Sequence, residues 1–104
     1  MLSEIGMSSS AIDVREARAQ TVTITDDALT VDLVDGRTIA VPLAWYPRLL
    51  HASSTERDKW RFIGDHEGIH WPDLDEDISV EALLAGKRSG ETQSSLKKWL
   101  DQRK

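Results

Sequence analysis

The feature of this sequence that most constrains its fold is a set of three short segments in which every second residue is apolar. The alternating apolar residues are Val22 and Ile24 in the first segment, Leu29, Val31 and Leu33 in the second, and Ile39, Val41 and Leu43 in the third. A period of two is typical of β-strands with one buried face, and β-branched side chains favour extended backbone. The sequence therefore predicts three consecutive strands.

The loop between the second and third segments decides how those two strands pair. A two-residue turn at Asp35-Gly36 would put their apolar residues on opposite faces, because side chains alternate along a strand. A three-residue loop at residues 34–36 instead pairs Val31 with Ile39 and puts all the apolar residues on one face. Gly36 then takes the left-handed position of a bulged hairpin.

The first and second strands meet the same requirement if Ile24 pairs with Leu29. That register needs a tight turn at Asp26-Asp27, where aspartate tolerates left-handed backbone. The sequence thus predicts a small three-stranded antiparallel meander with a bulged second hairpin. Its single apolar face must be covered by other elements.

Short helices are the predicted cover for this face. Pro47 suits the first turn of one helix, and Ser53 with Glu56 matches the capping box that opens a second. Ser79 is a good N-cap for a third helix that stops at Gly86. The predicted fold class is α+β, with the meander covered by short helices and followed by a C-terminal tail helix.

The charge pattern divides the chain into a body and a tail. The 104 residues carry a net charge of −5, and their number suits one domain with a modest core. Residues 87–104 hold six basic and two acidic residues, a net of +4, which leaves −9 on the first 86. An apolar stripe at Leu96 and Trp99 makes the tail amphipathic. We expect a flexible N-terminal arm over residues 1–18, a single α+β domain over residues 19–86 and a basic amphipathic tail over residues 87–104.

The composition argues against several classes of protein. The chain has no cysteine, so it forms no disulfide and no thiolate metal site. It has no run of about 18 apolar residues that could span a membrane, and its first ten residues lack the basic and apolar regions of a secretory signal. Its negative charge disfavours phosphate neutralisation as the main role. We expect a cytoplasmic protein with no membrane partner.

His66, Glu67 and His70 match the H-E-x-x-H pattern of zinc hydrolases. In those enzymes a helix places the two histidines on one face, where they hold zinc while the glutamate polarises water. Here Gly68 and Pro72 disfavour a helix, and in an extended strand the histidines would lie about 13 Å apart. We expect no enzymatic activity and no cofactor, with zinc hydrolysis through these three residues as the alternative.

Asp73, Asp75 and Asp77 have the Asp-x-Asp-x-Asp spacing of a calcium loop. The EF-hand requires Gly and Glu where this chain has Ile78 and Leu84, so we expect no bound metal. Together with Glu76, these aspartates form the densest acidic cluster of the chain. This cluster can instead support the start of the following helix through the helix dipole, or offer a recognition surface to a basic partner.

Four tryptophans are many for a chain of this length. Trp45, Trp60 and Trp71 lie in segments that must cover the sheet, so core packing is the default interpretation. Alternatively, Trp45 and Tyr46 form a partly exposed aromatic patch of the kind enriched at interfaces.

Three segments carry a recognisable pattern: residues 33–37 (LVDGR), residues 41–49 (VPLAWYPRL) and residues 68–80 (GIHWPDLDEDISV). They resemble a bacterial family, the domain of unknown function 2442 (DUF2442), from about Val22 to Gly86. The resemblance implies a compact α+β domain without an established activity. It also implies two associations, because some relatives carry a helix-turn-helix and others are encoded beside a second small protein in a toxin–antitoxin-like pair. His66 and Glu67 depart from the family pattern, which further disfavours the zinc alternative.

Together these observations favour a non-enzymatic interaction module whose partner is another protein, as one half of a bacterial two-protein, toxin–antitoxin-like system. The predicted surface consists of aromatic, imidazole and acidic side chains: Trp45, Tyr46, His70, Trp71, Asp73, Asp75 and Asp77. Leu96 and Trp99 form the predicted docking stripe of the tail. The alternative is a nucleic-acid-binding or transcription-regulatory protein that acts through the basic tail. The edge of a meander allows a dimer without requiring one.

Overall fold

The computed structural model describes residues 17–103. Within that range there are six strands, one 3-10 helix and four α-helices. In chain order they are β1 (Ala19–Ile24), β2 (Ala28–Leu33), β3 (Thr38–Pro42), the 3-10 helix (Leu43–Trp45), α1 (Pro47–Leu50), α2 (Ser54–Asp58), β4 (Arg61–Ile63), β5 (Gly68–Trp71), β6 (Glu76–Ser79), α3 (Val80–Leu84) and α4 (Gln93–Gln102).

The first three strands form the predicted antiparallel meander, in the order β1-β2-β3. Ile24 pairs with Leu29, and Val31 pairs with Ile39. This is the register that puts all the apolar residues on one face of the sheet. Gly36 has a φ of 97°, in the left-handed region that the bulged three-residue loop needs. The predicted register and the bulged hairpin are both confirmed.

The turn between β1 and β2 forms where the sequence predicts it but in a different way. Neither Asp26 nor Asp27 has a positive φ, so the expectation of left-handed aspartate backbone is wrong. The hydroxyl of Thr25 instead accepts hydrogen bonds from the N–H groups of Asp27, at 3.2 Å, and Ala28, at 3.1 Å. A threonine side chain thus closes the turn and satisfies its backbone donors.

Strands β4, β5 and β6 form a second three-stranded antiparallel sheet. In the sequence, Phe62-Ile63 and Ile69–Trp71, around Gly64 and Gly68, indicate short extended pieces beside the predicted helices. No strand is expected at β6, so the predicted cover of the meander is incomplete. Glu76 and Asp77 have low strand propensity. Strand β6 forms because Ile78 is buried opposite Ile69 in the paired strand. Tertiary burial therefore overrides local preference in this segment.

The predicted helix caps are confirmed. At α2, the hydroxyl of Ser53 accepts from the N–H of Glu56 at 3.1 Å, and the N–H of Ser53 donates to the Glu56 carboxylate at 2.9 Å. At α3, the hydroxyl of Ser79 accepts from the N–H of Ala82 at 2.9 Å. Gly86, with a φ of 75°, follows the end of α3.

The turn between β4 and β5 joins the two sheets. The N–H of Ala19 donates to the carbonyl of His66 at 2.8 Å, and His66 Nδ1 lies 3.0 Å from the carbonyl oxygen of Ala19. Beside them, Arg18 Nε lies 3.0 Å from a carboxylate oxygen of Asp65. Most of the predicted N-terminal arm lies outside the described residues, whereas Ala17 is buried and Arg18 contacts this turn.

One apolar core serves both sheets and the helices. Its largest fully buried side chains are Trp71, Leu29, Leu33, Leu43, Leu49, Ile69, Leu74, Val31 and Val80. These residues come from β2, β5, the 3-10 helix, α1, α3 and the β5–β6 turn, so the two sheets fold as one unit. Within residues 17–103, no helix is long and apolar enough to cross a membrane.

Candidate interaction surface

Arg48 on α1 joins three segments of the chain. Its Nε and Nη2 atoms donate to the two carboxylate oxygens of Glu91, at 2.7 and 3.2 Å. Its Nη1 atom donates to the carbonyl of Leu74 in the β5–β6 turn at 3.0 Å. The Arg48 and Glu91 side chains are 17% and 7% exposed, so the bidentate pair is well shielded from water. No local pattern predicts this pair, because its members are 43 residues apart.

The tail helix α4 packs against the body of the domain. Trp99 is 9% exposed, and its ring lies 5.3 Å from the Arg48 guanidinium and 4.4 Å from that of Arg103. Arg103 also donates to the carboxylate of Glu56 in α2 at 2.6 Å. That hydrogen bond, with a backbone bond from Ser53, lowers the pKa of Glu56 to about 2. The predicted docking stripe is therefore engaged by the chain itself, with Trp99 buried.

A cleft of about 370 Å³ runs along β6, and we call it the β6 cleft. One wall is the strand itself, Glu76–Ser79, with Ala82 of α3 at its end. The other wall is the segment at residues 87–90, and Tyr46 also lines the space between them. The cleft is open, and strand backbone and acidic side chains form one side of it.

The wall at residues 87–90 is fixed to the end of the 3-10 helix. The hydroxyl of Tyr46 donates to the carbonyl of Lys87 at 3.0 Å, and the N–H of Ser89 donates to the carbonyl of Trp45 at 3.1 Å. The guanidinium of Arg88 lies 4.8 Å from the centre of the Trp45 ring. Trp45 and Tyr46 therefore hold this wall of the β6 cleft in place.

Glu76 is the half-buried carboxylate of the β6 cleft. Burial is the main cause that raises its pKa to about 7; Arg48 lowers the pKa, whereas the charges of Glu91, Asp77 and Asp75 contribute to raising it. Its carboxylate receives no hydrogen bond from any residue between 17 and 103. Glu76 thus has carboxylate oxygens that can accept hydrogen bonds from a molecule bound in the cleft.

A second cleft of about 370 Å³ lies between the β5–β6 turn and α4. Asp73 and Asp75 line it on one side, and Lys98 and Trp99 line it on the other. Asp75 has a φ of 51°, and Asp73 lies 3.6 Å from the ammonium of Lys59. The acidic turn and the tail, which the sequence treats as separate surfaces, thus line one cleft.

Comparison with known proteins identifies the family. A family model described as a protein of unknown function (DUF2442) matches residues 19–89. The chain belongs to the DUF2442 family. The resemblance seen in the sequence is confirmed, and the DUF2442 domain spans both sheets and α3 but ends before α4.

Two solved structures share the fold of this DUF2442 domain. A protein of unknown function from Rhodospirillum rubrum is 30% identical with a TM-score of 0.62, and the match covers 78% of this chain and 98% of that one. An uncharacterised protein from Chromobacterium violaceum is 14% identical with a TM-score of 0.62, and the match covers 95% of this chain and 96% of that one. No curated protein matches the sequence significantly. The α+β fold class is therefore shown.

The DUF2442 domain places the predicted surface residues in two environments. Asp73, Asp75 and Asp77 are exposed, and Asp77 is hydrogen-bonded to His70 across β5 and β6. Trp71 is fully buried, and its indole N–H donates to the carbonyl of Arg57 at 3.1 Å.

The predicted surface must therefore be corrected at two of its aromatic residues. Trp71 belongs to the core, because the second sheet needs an apolar residue to pack against the helices. Tyr46 is 4% exposed and reaches the surface only by lining the β6 cleft, whereas Trp45 is half-buried.

The H-E-x-x-H motif of the DUF2442 domain lies on a hairpin rather than a helix. His66 is in the β4–β5 turn, with a φ of 59° and its ring stacked on Phe62 at 4.2 Å between centroids. His70 is in β5 and bonds Asp77. Across residues 17–103, no three His, Cys, Asp or Glu side chains are grouped so that they could hold a metal ion. The helix that the zinc alternative requires does not form.

Proposed function

We propose that this protein is a non-enzymatic interaction module whose partner is another protein, as one half of a two-protein, toxin–antitoxin-like bacterial system in the cytoplasm. The observation that carries the proposal is the carboxylate of Glu76. It is half-buried at the β6 cleft and receives no hydrogen bond within residues 17–103. A donor from a bound partner would satisfy it.

The half-buried Glu76 is ionised only at a cost. Burial disfavours its charged form, and so do the charges of its chain neighbours Asp75 and Asp77. A basic group from a partner would remove both penalties at once.

The environment of His70 supports binding over catalysis. Its Nδ1 atom is bonded to Asp77, the arrangement that orients the histidine of a Ser-His-Asp triad. Within residues 17–103, no serine or threonine hydroxyl is hydrogen-bonded to its other ring nitrogen. A triad mechanism needs such a nucleophile within hydrogen-bond reach, so the pair is better understood as a cross-strand contact between β5 and β6.

The second candidate is nucleic-acid binding through the basic tail, and the packing of the tail weakens its support. Arg88 stacks on Trp45, and Arg103 is paired with Glu56. Lys97 and Lys98 are the exposed cations of α4. Binding through them would weaken steeply with salt and would be lost when both are replaced by alanine. An electrophoretic shift at low salt, with duplex and single-stranded DNA, tests this candidate.

Photo-crosslinking in the encoding organism tests the proposed function. A benzoylphenylalanine placed at Lys87, on the wall of the β6 cleft, should yield one covalent adduct with another protein. The same group at Thr23, which is exposed on β1, is the matched control and should yield no such adduct. Glu76→Lys should abolish the adduct at position 87. The proposal is overturned if no protein adduct forms at Lys87, or if the same adduct forms at Thr23 or survives Glu76→Lys.

A further inference from the structure

The hydrogen-bond register of the second sheet determines which backbone groups of β6 face the β6 cleft. The N–H of Val80 donates to the carbonyl of Glu67 at 2.9 Å, so these two residues form a hydrogen-bonded pair. Hydrogen-bonded and non-hydrogen-bonded pairs alternate in an antiparallel ladder. Ile78 is therefore bonded to Ile69, and the N–H and C=O of Asp77 point away from β5, towards the free edge.

The side-chain contact between Asp77 and His70 agrees with this register. Residues of a non-hydrogen-bonded pair have closely spaced Cα atoms, which brings their side chains together. These two residues are paired in the ladder, and their side chains are bonded to each other. Strand β6 is an edge of its sheet, so no other strand within residues 17–103 covers the outward groups of Asp77.

All four residues of β6 line the β6 cleft. A strand added beside β6 would therefore occupy this cleft. Side chains alternate between the two faces of a sheet. The residue of the added strand that lies opposite Asp77 would therefore point to the same face as the Asp77 carboxylate. Its two neighbours would project onto the other face, next to Glu76 and Ile78. Asp77 is 66% exposed at its side chain, so its carboxylate favours a basic residue at the position opposite it. Lys87 and Arg88 belong to the other wall of the cleft, so the preference for a base is confined to this position.

Charge disfavours a second copy of this chain paired about Asp77 as the occupant. Two β6 strands paired antiparallel about Asp77 would place the two Asp77 carboxylates directly opposite each other. Like charges in that position are destabilising.

We infer that the β6 cleft binds an extended segment of another protein, which adds to β6 as a fourth strand and carries a basic residue opposite Asp77. The inference rests on the proposed function and names the chemistry of the partner. Main-chain hydrogen bonds to Asp77 supply affinity, and the basic side chain supplies selectivity. The residue next to this base lies on the other face, beside Glu76, and a hydroxyl or amide there would donate to the Glu76 carboxylate.

A capped model peptide tests the inference on the full-length protein. The probe alternates threonine and valine around one central lysine, and its two controls carry a central glutamate or N-methylated backbone amides. At a concentration ten times its Kd, the lysine peptide should slow amide hydrogen exchange at Asp77 about tenfold. Neither control peptide should do so at the same concentration, and Asp77→Lys should transfer the preference to the glutamate peptide.

Two results would overturn strand addition. One is a titration to millimolar lysine peptide that leaves the Asp77 and Ser79 amides unchanged in their NMR shifts and exchange rates. The other is equal binding of the N-methylated peptide, because that peptide cannot complete the ladder. A Thr23→Lys protein, which introduces a lysine on a different strand, is the control and should respond as the unmodified protein does.

The failure of strand addition can be told apart from the failure of the proposed function. If crosslinking at Lys87 captures a protein but its complex leaves the Asp77 amide unprotected, the interaction module stands and strand addition is wrong. If the lysine peptide protects Asp77 but crosslinking captures no protein, the edge accepts strands and the proposed function is wrong.

Discussion

Arg48 and Glu91 form a shielded bidentate ion pair that fastens the segment before α4 to α1. Glu91 also accepts a hydrogen bond from the hydroxyl of Ser95 in the first turn of α4. These hydrogen bonds lower the pKa of Glu91, so the carboxylate is ionised at neutral pH. The pair thus links the body, the acidic turn and the tail through one guanidinium.

Removing one member of this pair should destabilise the protein. Glu91→Ala leaves the Arg48 guanidinium partly buried without its counter-ion, and we expect a loss of about 2–3 kcal/mol in the free energy of unfolding. Urea denaturation measures the loss. Lys97→Ala, at an exposed site on the same helix, should change stability by less than about 0.5 kcal/mol. Equal effects of the two substitutions would contradict the role of the pair.

Trp99 should control whether the tail remains on the body. Trp99→Ala removes a buried indole that contacts Arg48 and Arg103, and we expect about 3 kcal/mol of destabilisation together with faster amide exchange throughout α4. Trp99→Phe keeps an aromatic face and should lose less. If α4 exchanged at the same rate in the alanine variant and the unmodified protein, the packing role of Trp99 would be refuted.

Glu76 should make stability depend on pH near neutrality. Its folded-state pKa of about 7 exceeds the ordinary value of 4.5, so its ionisation opposes folding. The stability that its protonated form contributes is complete below about pH 4.5 and is lost as the pH rises through 7.

Glu76→Gln removes this ionisation. The variant should therefore be more stable than the unmodified protein at pH 8.5, by about 1–2 kcal/mol after allowance for solvent screening, with a smaller difference at pH 5.5. Guanidinium denaturation at the two pH values measures the difference. A difference that does not change between them would show that Glu76 titrates normally.

The β2–β3 loop of the meander should require glycine at position 36, because the backbone there is left-handed. The φ of 97° at Gly36 disfavours any residue with a Cβ atom, although that atom would meet nothing within 4 Å. Gly36→Ala should therefore cost about 1–2 kcal/mol through backbone strain alone. Gly90 has equal space but no positive φ, so Gly90→Ala should be neutral or slightly stabilising. Thermal denaturation of the two variants tests this contrast.

The sequence was informative where a feature depends on neighbouring residues. Alternation fixed the register that pairs Val31 with Ile39, because a shift by one residue would expose an apolar face. The capping box of Ser53 and Glu56 is likewise a local pattern, and it forms as predicted.

The candidate site could be predicted only in part, because its main contacts join distant residues. Asp77 and Trp45 were identified, but Arg48 and Glu76 were not, since their significance arises from burial and from partners elsewhere in the chain. Trp71 was assigned to the surface because tryptophan is common both in cores and at interfaces. Trp71 is fully buried because the second sheet forms. The third strand of that sheet, β6, has an acidic sequence that is not typical of a strand, so the complete sheet could not be predicted.

The most direct test of the central claim is quantitative co-purification from the encoding organism, with the unmodified protein, Glu76→Lys and Thr23→Lys compared in parallel. If the β6 cleft is a protein-binding site, one protein will be retained in stoichiometric amount by the unmodified chain and by Thr23→Lys, and it will be absent from Glu76→Lys. Retention of the same proteins by all three chains, or of none by any, would contradict the account.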